Sequence, residues 1–280
     1  MEKKLLKPKN EIVFQSLFSK ENEEITKNFV QSLLGKKIKK IEINNHKELF
    51  RQMPEDKLGI LDLQVDIDDE EKIDVEIQLL DNHNLVERLL YYFAKLYAST
   101  IKIGGKYQEG KRVVLIAILD YDLELTKFIE EMQTQWMLRE TKNPEIILMN
   151  KLEIDIIELR KVKKEYEKDK HNERAQWMLF LDDPNSEEVQ EIMEENKEIN
   201  DAVFVVHEMT EDEKMERLAF LREKAILDEQ SMHYHGLQEG IKQGERSKTL
   251  EIAKKLKVKK IPIEIIIETT GLTKEEIEML

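Results

Sequence analysis

The chain has 280 residues, of which 40% are apolar and 37% charged, with a formal net charge of -14 and no cysteine. That length fits one large domain or one domain with a small appendage, and the periodic placement of its apolar residues argues against global disorder. The lack of cysteine excludes disulfides, thiolate metal sites and a cysteine nucleophile, and makes a reducing cytoplasm the expected compartment.

Met1 to Asn10 carries four lysines but no apolar run of signal-peptide or membrane-span length follows, so neither export nor membrane insertion is expected. From Glu11 to Leu34, Val13, Phe14, Leu17, Phe18, Ile25, Phe29 and Leu33 recur mostly at helical spacing, with a break expected near Ser19. Lys57 to Asp68 reads as a strand with Leu61, Leu63, Val65 and Ile67 on one face and Asp62, Gln64, Asp66 and Asp68 on the other. After an acidic turn, Ile73, Val75, Ile77 and Leu79 alternate with Asp74, Glu76 and Gln78, the pattern of a second strand returning beside the first.

Asn84 to Lys102 follows as a helix, stopped by Gly104 and Gly105. Arg112 to Asp120 is almost wholly apolar, as a strand buried on both faces requires, and Leu152 to Leu159 reads as another. A strand carrying Trp136 is expected within Phe128 to Arg139, with Trp136 and Trp177 both in the core. Beyond Arg160 the patterns are helical, and Thr210 to Leu227 has an acidic first turn. Gly236, Gly240 and Gly244 weaken the helical pattern and predict a hinge before a tail of three short helices, the last opened by the capping box at Thr273. The expected division is thus 1–235, a main domain with packed helices from about residue 170, and 236–280, a hinge with a small helical tail.

The chemistry concentrates on the hairpin. Glu76 and Gln78 share a face because strands have a period of two, and antiparallel pairing brings Asp62 to the same place. Two carboxylates, an amide and the backbone carbonyl of Ile77 are hard oxygen ligands suited to magnesium or manganese, with water and phosphate filling the other positions. Such an ion activates a bound water and polarises a phosphodiester, and Gln78 would orient the water or a phosphate oxygen. Gln78 carries no charge, so positive charge would have to come also from Arg88, Lys95 or another lysine. Composition alone favours a plainer reading, in which the alternating acids are the solvated face of a half-exposed hairpin.

Resemblance shifts that balance. The runs Leu61-Asp62-Leu63 and Asp74-Val75-Glu76-Ile77-Gln78, then Arg88 with Tyr91-Tyr92 and Leu96-Tyr97, resemble the recombination-promoting nuclease, or putative transposase, family. Lys7-Pro8-Lys9-Asn10-Glu11 with Phe14 and Leu17-Phe18 is similar to its opening helix, and Gly271-Leu272-Thr273 to its tail. The resemblance implies an α/β fold with a PD-(D/E)XK, restriction-endonuclease-like core, a mixed central sheet flanked by helices, and a helical C-terminal region. It implies metal-dependent DNA cleavage linked to recombination or mobile elements, with Asp62 and Glu76 as metal-binding acids and Gln78 where relatives outside the family carry lysine. Glu11 stands where an acid is common and is a further candidate ligand, while Gln15 replaces a lysine found in many relatives.

DNA is therefore the expected partner, although the net charge of -14 opposes a polyanion. The distribution of lysines softens that objection: Arg88, Lys95 and Lys106 are the candidate DNA contacts. No membrane partner is expected, and the C-terminal helices offer a surface for homo-oligomerisation. The rival expectation is a module that keeps the nuclease fold without turnover and binds DNA or protein.

Overall fold

The computed structural model describes residues 3–44, 62–81 and 83–280. Contacts divide the chain into Met1–Lys224, built on a sheet, and Ala225–Leu280, which is helical. The division falls some residues before the boundary that the glycine pattern suggests.

Among the described residues six strands, β1 (Ile41–Ile43), β2 (Leu63–Ile67), β3 (Glu71–Gln78), β4 (Arg112–Leu119), β5 (Gln133–Trp136) and β6 (Leu152–Glu158), form one mixed sheet in the order β1-β2-β3-β4-β6-β5. The hairpin β2–β3 is antiparallel, whereas β3, β4 and β6 run parallel. Asp68 and Asp69 make its turn with φ of 51° and 61°, and Glu70 N–H donates to the Ile67 carbonyl at 3.1 Å. Two successive residues in the left-handed region match the right-handed twist of the flanking strands, and aspartate tolerates that region. The predicted start of the first strand, from Lys57 to Leu61, lies outside the described residues.

β4 is buried on both faces, which explains its unbroken apolar sequence. Val114, Ile116 and Ile118 join a core formed with α1 (Glu11–Leu17), α2 (Glu23–Leu34), α5 (Glu173–Asp182) and α7 (Lys197–Glu211). Phe14, Phe18, Phe29 and Trp177 pack together there, with Phe18 and Phe29 stacked at 4.1 Å. Val113, Leu115, Ala117 and Leu119 face the other way, under Leu85, Leu89, Phe93 and Leu96 of α3 (Leu85–Ser99).

Three expectations need correction. β1 was not foreseen, since three residues are too few to show a period. Trp136 is 39% exposed, not in the core, because β5 is the short edge strand, whereas Trp177 is fully buried and donates to Asn28 Oδ1. The glycines at 236, 240 and 244 do not interrupt the helix: α8 runs from Glu213 to Val258. Each glycine costs about 1 kcal/mol of helix propensity relative to alanine, but unlike proline it keeps its N–H and breaks no hydrogen bond.

Between the sheet and α8 lie α4 (Val162–Lys168), α5, α6 (Glu187–Glu195) and α7, the last three opened by side-chain caps from Asn172, Ser186 and Asn196. In the second unit, α9 (Ile263–Thr270) stops at Gly271 with φ 67°, and Thr273 and Glu276 form the capping box of α10 (Lys274–Glu278). No described helix is long and apolar enough to cross a membrane.

Candidate active site

The hairpin register decides where the acids go. Leu63 pairs with Val75 and Gln64 with Asp74, so one step further Asp62 stands opposite Glu76 on the face covered by α3. β2 starts one residue after Asp62, and at this end of the ladder Asp62 Oδ2 accepts the Ile77 N–H at 2.8 Å. The Asp62 carboxylate thus takes the place of a backbone acceptor at the end of the ladder. Strand geometry turns the Ile77 carbonyl to the same edge. Asp62 and Glu76 are buried, and the half-buried Gln78 donates from Nε2 to Glu76 Oε2 at 3.4 Å.

Burial without compensation defines the electrostatics. Among the described residues, Glu76 Oε1 and both carboxylate oxygens of Asp74 are buried without a hydrogen-bond partner. Removal from water pushes Asp74 and Glu76 well above the usual carboxylate range; Asp62 adds to the rise at Asp74, and Asp74 and Asp62 add to it at Glu76. Arg88 opposes the shift at Glu76. Burial pushes Asp62 up to about 6, and the nearby Glu11 adds to that, against the Ile77 N–H, Gln15 and Arg222.

Helix α1 supplies the third side of the site. Asn10 caps it by accepting the Ile12 N–H, and Lys9 anchors its start through ion pairs to Asp120 at 3.0 Å and Asp182 at 2.6 Å. Glu11 and Gln15, one turn apart, are thereby held at the hairpin end. Gln15 Nε2 donates to Asp62 Oδ1 at 3.3 Å and to Glu11 Oε1 at 3.5 Å, so the residue that departs from the lysine of many relatives joins two candidate acids. Arg222, near the start of α8, pairs with Glu11 through Nη2 and Oε2 at 2.5 Å. Neither Asp74 nor Arg222 was assigned a role from sequence. Asp74 was legible in the alternation, but Arg222 reaches the site only through packing.

Among the described residues, no cluster of three His, Cys, Asp or Glu side chains is set up to hold a metal ion. The donor set still fits one. Glu76 presents a buried oxygen with nothing bound to it, Asp62 stands opposite, and the donors are all oxygens, as a hard divalent cation that keeps several waters prefers. Asp62, Glu76 and the Ile77 carbonyl would be the groups to hold such an ion.

The candidate DNA contacts are less well gathered. On α3, Arg88 lies 5.8 Å from the Tyr92 ring and acts on Glu76, and Lys95 lies 5.6 Å from the Tyr91 ring. Lys106 is exposed ahead of β4, at the opposite end of the parallel strands from Glu76 and Gln78, so it stands apart from the acids.

Compared with curated proteins and with solved structures, the chain finds no match in either set. The family described as PD-(D/E)XK nuclease family transposase matches residues 8–235, which include every strand of the sheet and Glu11, Asp62, Asp74 and Glu76 of the site. A mixed sheet flanked by helices, with a helical C-terminal region, is the fold expected from the resemblance, and the match supports a role related to nuclease or transposase action. The chain belongs to the PD-(D/E)XK nuclease family transposases.

Proposed function

We propose that the protein is a divalent-metal-dependent DNA endonuclease that hydrolyses phosphodiester bonds at the end of the β2–β3 hairpin. The observation that carries this reading is the buried oxygen of Glu76, without a partner among the described residues, opposite Asp62: carboxyl groups whose ionisation burial disfavours and a bound cation would favour. Asp62 and Glu76, with the Ile77 carbonyl and Glu11 as further candidates, would hold magnesium or manganese. Bound there, the ion supplies Lewis acidity and an activated water. Gln78 is placed beside Glu76 to orient a water or a phosphate oxygen through its amide. Arg88 offers positive charge on the same side of the sheet.

The test is nicking of supercoiled plasmid with magnesium or manganese. Asp62→Ala and Glu76→Ala should each lower the rate by about 100-fold or more, and equal cleavage by wild type and both variants rejects the assignment. The second reading is a nuclease fold that binds DNA or a protein without cleaving. It is favoured by Gln78, whose amide brings no charge where other nucleases carry lysine, and it predicts salt-sensitive DNA binding without strand breaks under any divalent ion.

A further inference from the structure

A site with four acids and an uncharged Gln78 beside Glu76, whose strand's one lysine, Lys72, is paired with Asp66 at 3.1 Å, draws positive charge from elsewhere, and the fold brings one such group from a distant part of the sequence. Helix α8 is fastened beside α1 by three contacts before it reaches Arg222. Lys3 binds Glu216 at 2.9 Å, Asn10 donates from Nδ2 to the Ala219 carbonyl at 3.0 Å, and Ala219 is buried against the main core. One turn later, Arg222 lies against Glu11, whose helix neighbour Gln15 is bonded to Asp62. Arg222 is close enough to Asp62 to oppose the rise in its pKa. Its side chain remains 45% exposed, and among the described residues its ion pairing is confined to Glu11. A guanidinium carries five N–H donors, more than one carboxylate takes up, so an exposed fork can also meet a ligand.

We infer that Arg222 is a phosphate-binding residue of this site, supplying to the DNA backbone the positive charge that Gln78 cannot. The inference rests on the reading of DNA as the ligand. It gives a role to an arginine on the first turns of α8 that is paired with Glu11, lies near Asp62 and stays partly exposed. A planar fork suits two oxygens of one phosphate, and a lysine there would keep the charge but lose the second contact.

Duplex binding by the full-length protein, measured over a range of salt with calcium in place of magnesium, tests the inference without relying on cleavage. Arg222→Ala should weaken binding by about tenfold and lower the slope of log affinity against log salt by about one. Arg222→Lys should recover part of the loss. Glu216→Gln loosens the same helix without touching the site and should bind like wild type. Unchanged binding by Arg222→Ala overturns the inference, as does an equal loss in Glu216→Gln, which would mean that tethering α8 is the whole effect. If wild type binds DNA and never nicks it while Arg222→Ala still binds more weakly, the nuclease reading fails and the role of Arg222 stands. If wild type does not bind DNA, both fail.

Discussion

Glu76 and Glu158 stand near the C-terminal ends of β3 and β6, the two parallel strands that flank β4, and the structure treats these two buried carboxylates in opposite ways. Glu158 accepts from the Leu123 N–H at 2.8 Å, from Thr126 Oγ1 at 2.8 Å and from Lys161 Nζ at 2.5 Å. Its charge is spent on closing the loop after β4 and on fastening the start of the helical layer. Glu76 has the Gln78 amide on one oxygen and nothing on the other, with Asp62 and Asp74 close enough to raise its pKa. A buried acid supplied with donors is part of the scaffold; one left short of donors beside other acids is where a bound cation would be most favoured. Asp155 on β6 lies between the two cases. Its Oδ1 is unpartnered, but Oδ2 accepts from Gln133 at 3.0 Å, and Arg174, which also binds Gln133, lies close by. One orphaned oxygen does not make a centre where the neighbouring acid, Glu153, is already taken up by Arg112 at 2.8 Å and by Gln135 at 3.5 Å.

The largest consequence falls on the scaffold acid. Glu158→Ala should lower stability in urea unfolding by about 4 kcal/mol, because it strands the buried Leu123 N–H and takes the carboxylate away from Thr126 and from the half-buried Lys161. A loss no larger than that of an exposed substitution would remove the distinction drawn between Glu158 and Glu76.

Next comes the intermediate case. Burial, reinforced by Glu153, pushes Asp155 up to about 7, with Gln133, Arg174 and Gln135 opposing. A carboxyl raised in the folded state has no ionisation penalty below its unfolded pKa. The penalty grows as pH climbs towards 7 and is complete above it. Between about pH 5 and about pH 8 the wild type should therefore lose about 3 kcal/mol relative to Asp155→Asn, read from paired denaturation curves; parallel pH profiles would contradict it.

The smallest effects belong to the site. Magnesium at about ten times its dissociation constant should stabilise the wild type by about 1.4 kcal/mol and leave Glu76→Gln unmoved. In the absence of metal, Glu76→Gln should be more stable than wild type by about 1 kcal/mol, since it removes one of the mutually repelling acids. If the variant is the less stable of the two without metal, Glu76 belongs with Glu158 as a scaffold acid.

Much of this was legible in the residues. The alternation from Ile73 to Gln78 dictates a strand with Asp74, Glu76 and Gln78 on one face, and the unbroken apolar run of β4 dictates a strand covered on both sides. Period and burial are local properties, so composition along a few residues determines them. The glycine-spaced helix misled for the same reason: local propensity marks a weak point, but whether a helix breaks there depends on the whole segment.

Only the tertiary structure decided what those local patterns mean. A buried acid reads alike in the sequence whether three donors meet it, as at Glu158, or none reaches its second oxygen, as at Glu76. The meeting of Glu11, Gln15, Asp62 and Arg222 joins segments far apart along the chain. No periodicity records that meeting, because it depends on how α1 and α8 pack at the hairpin end and not on the spacing of residues within either one.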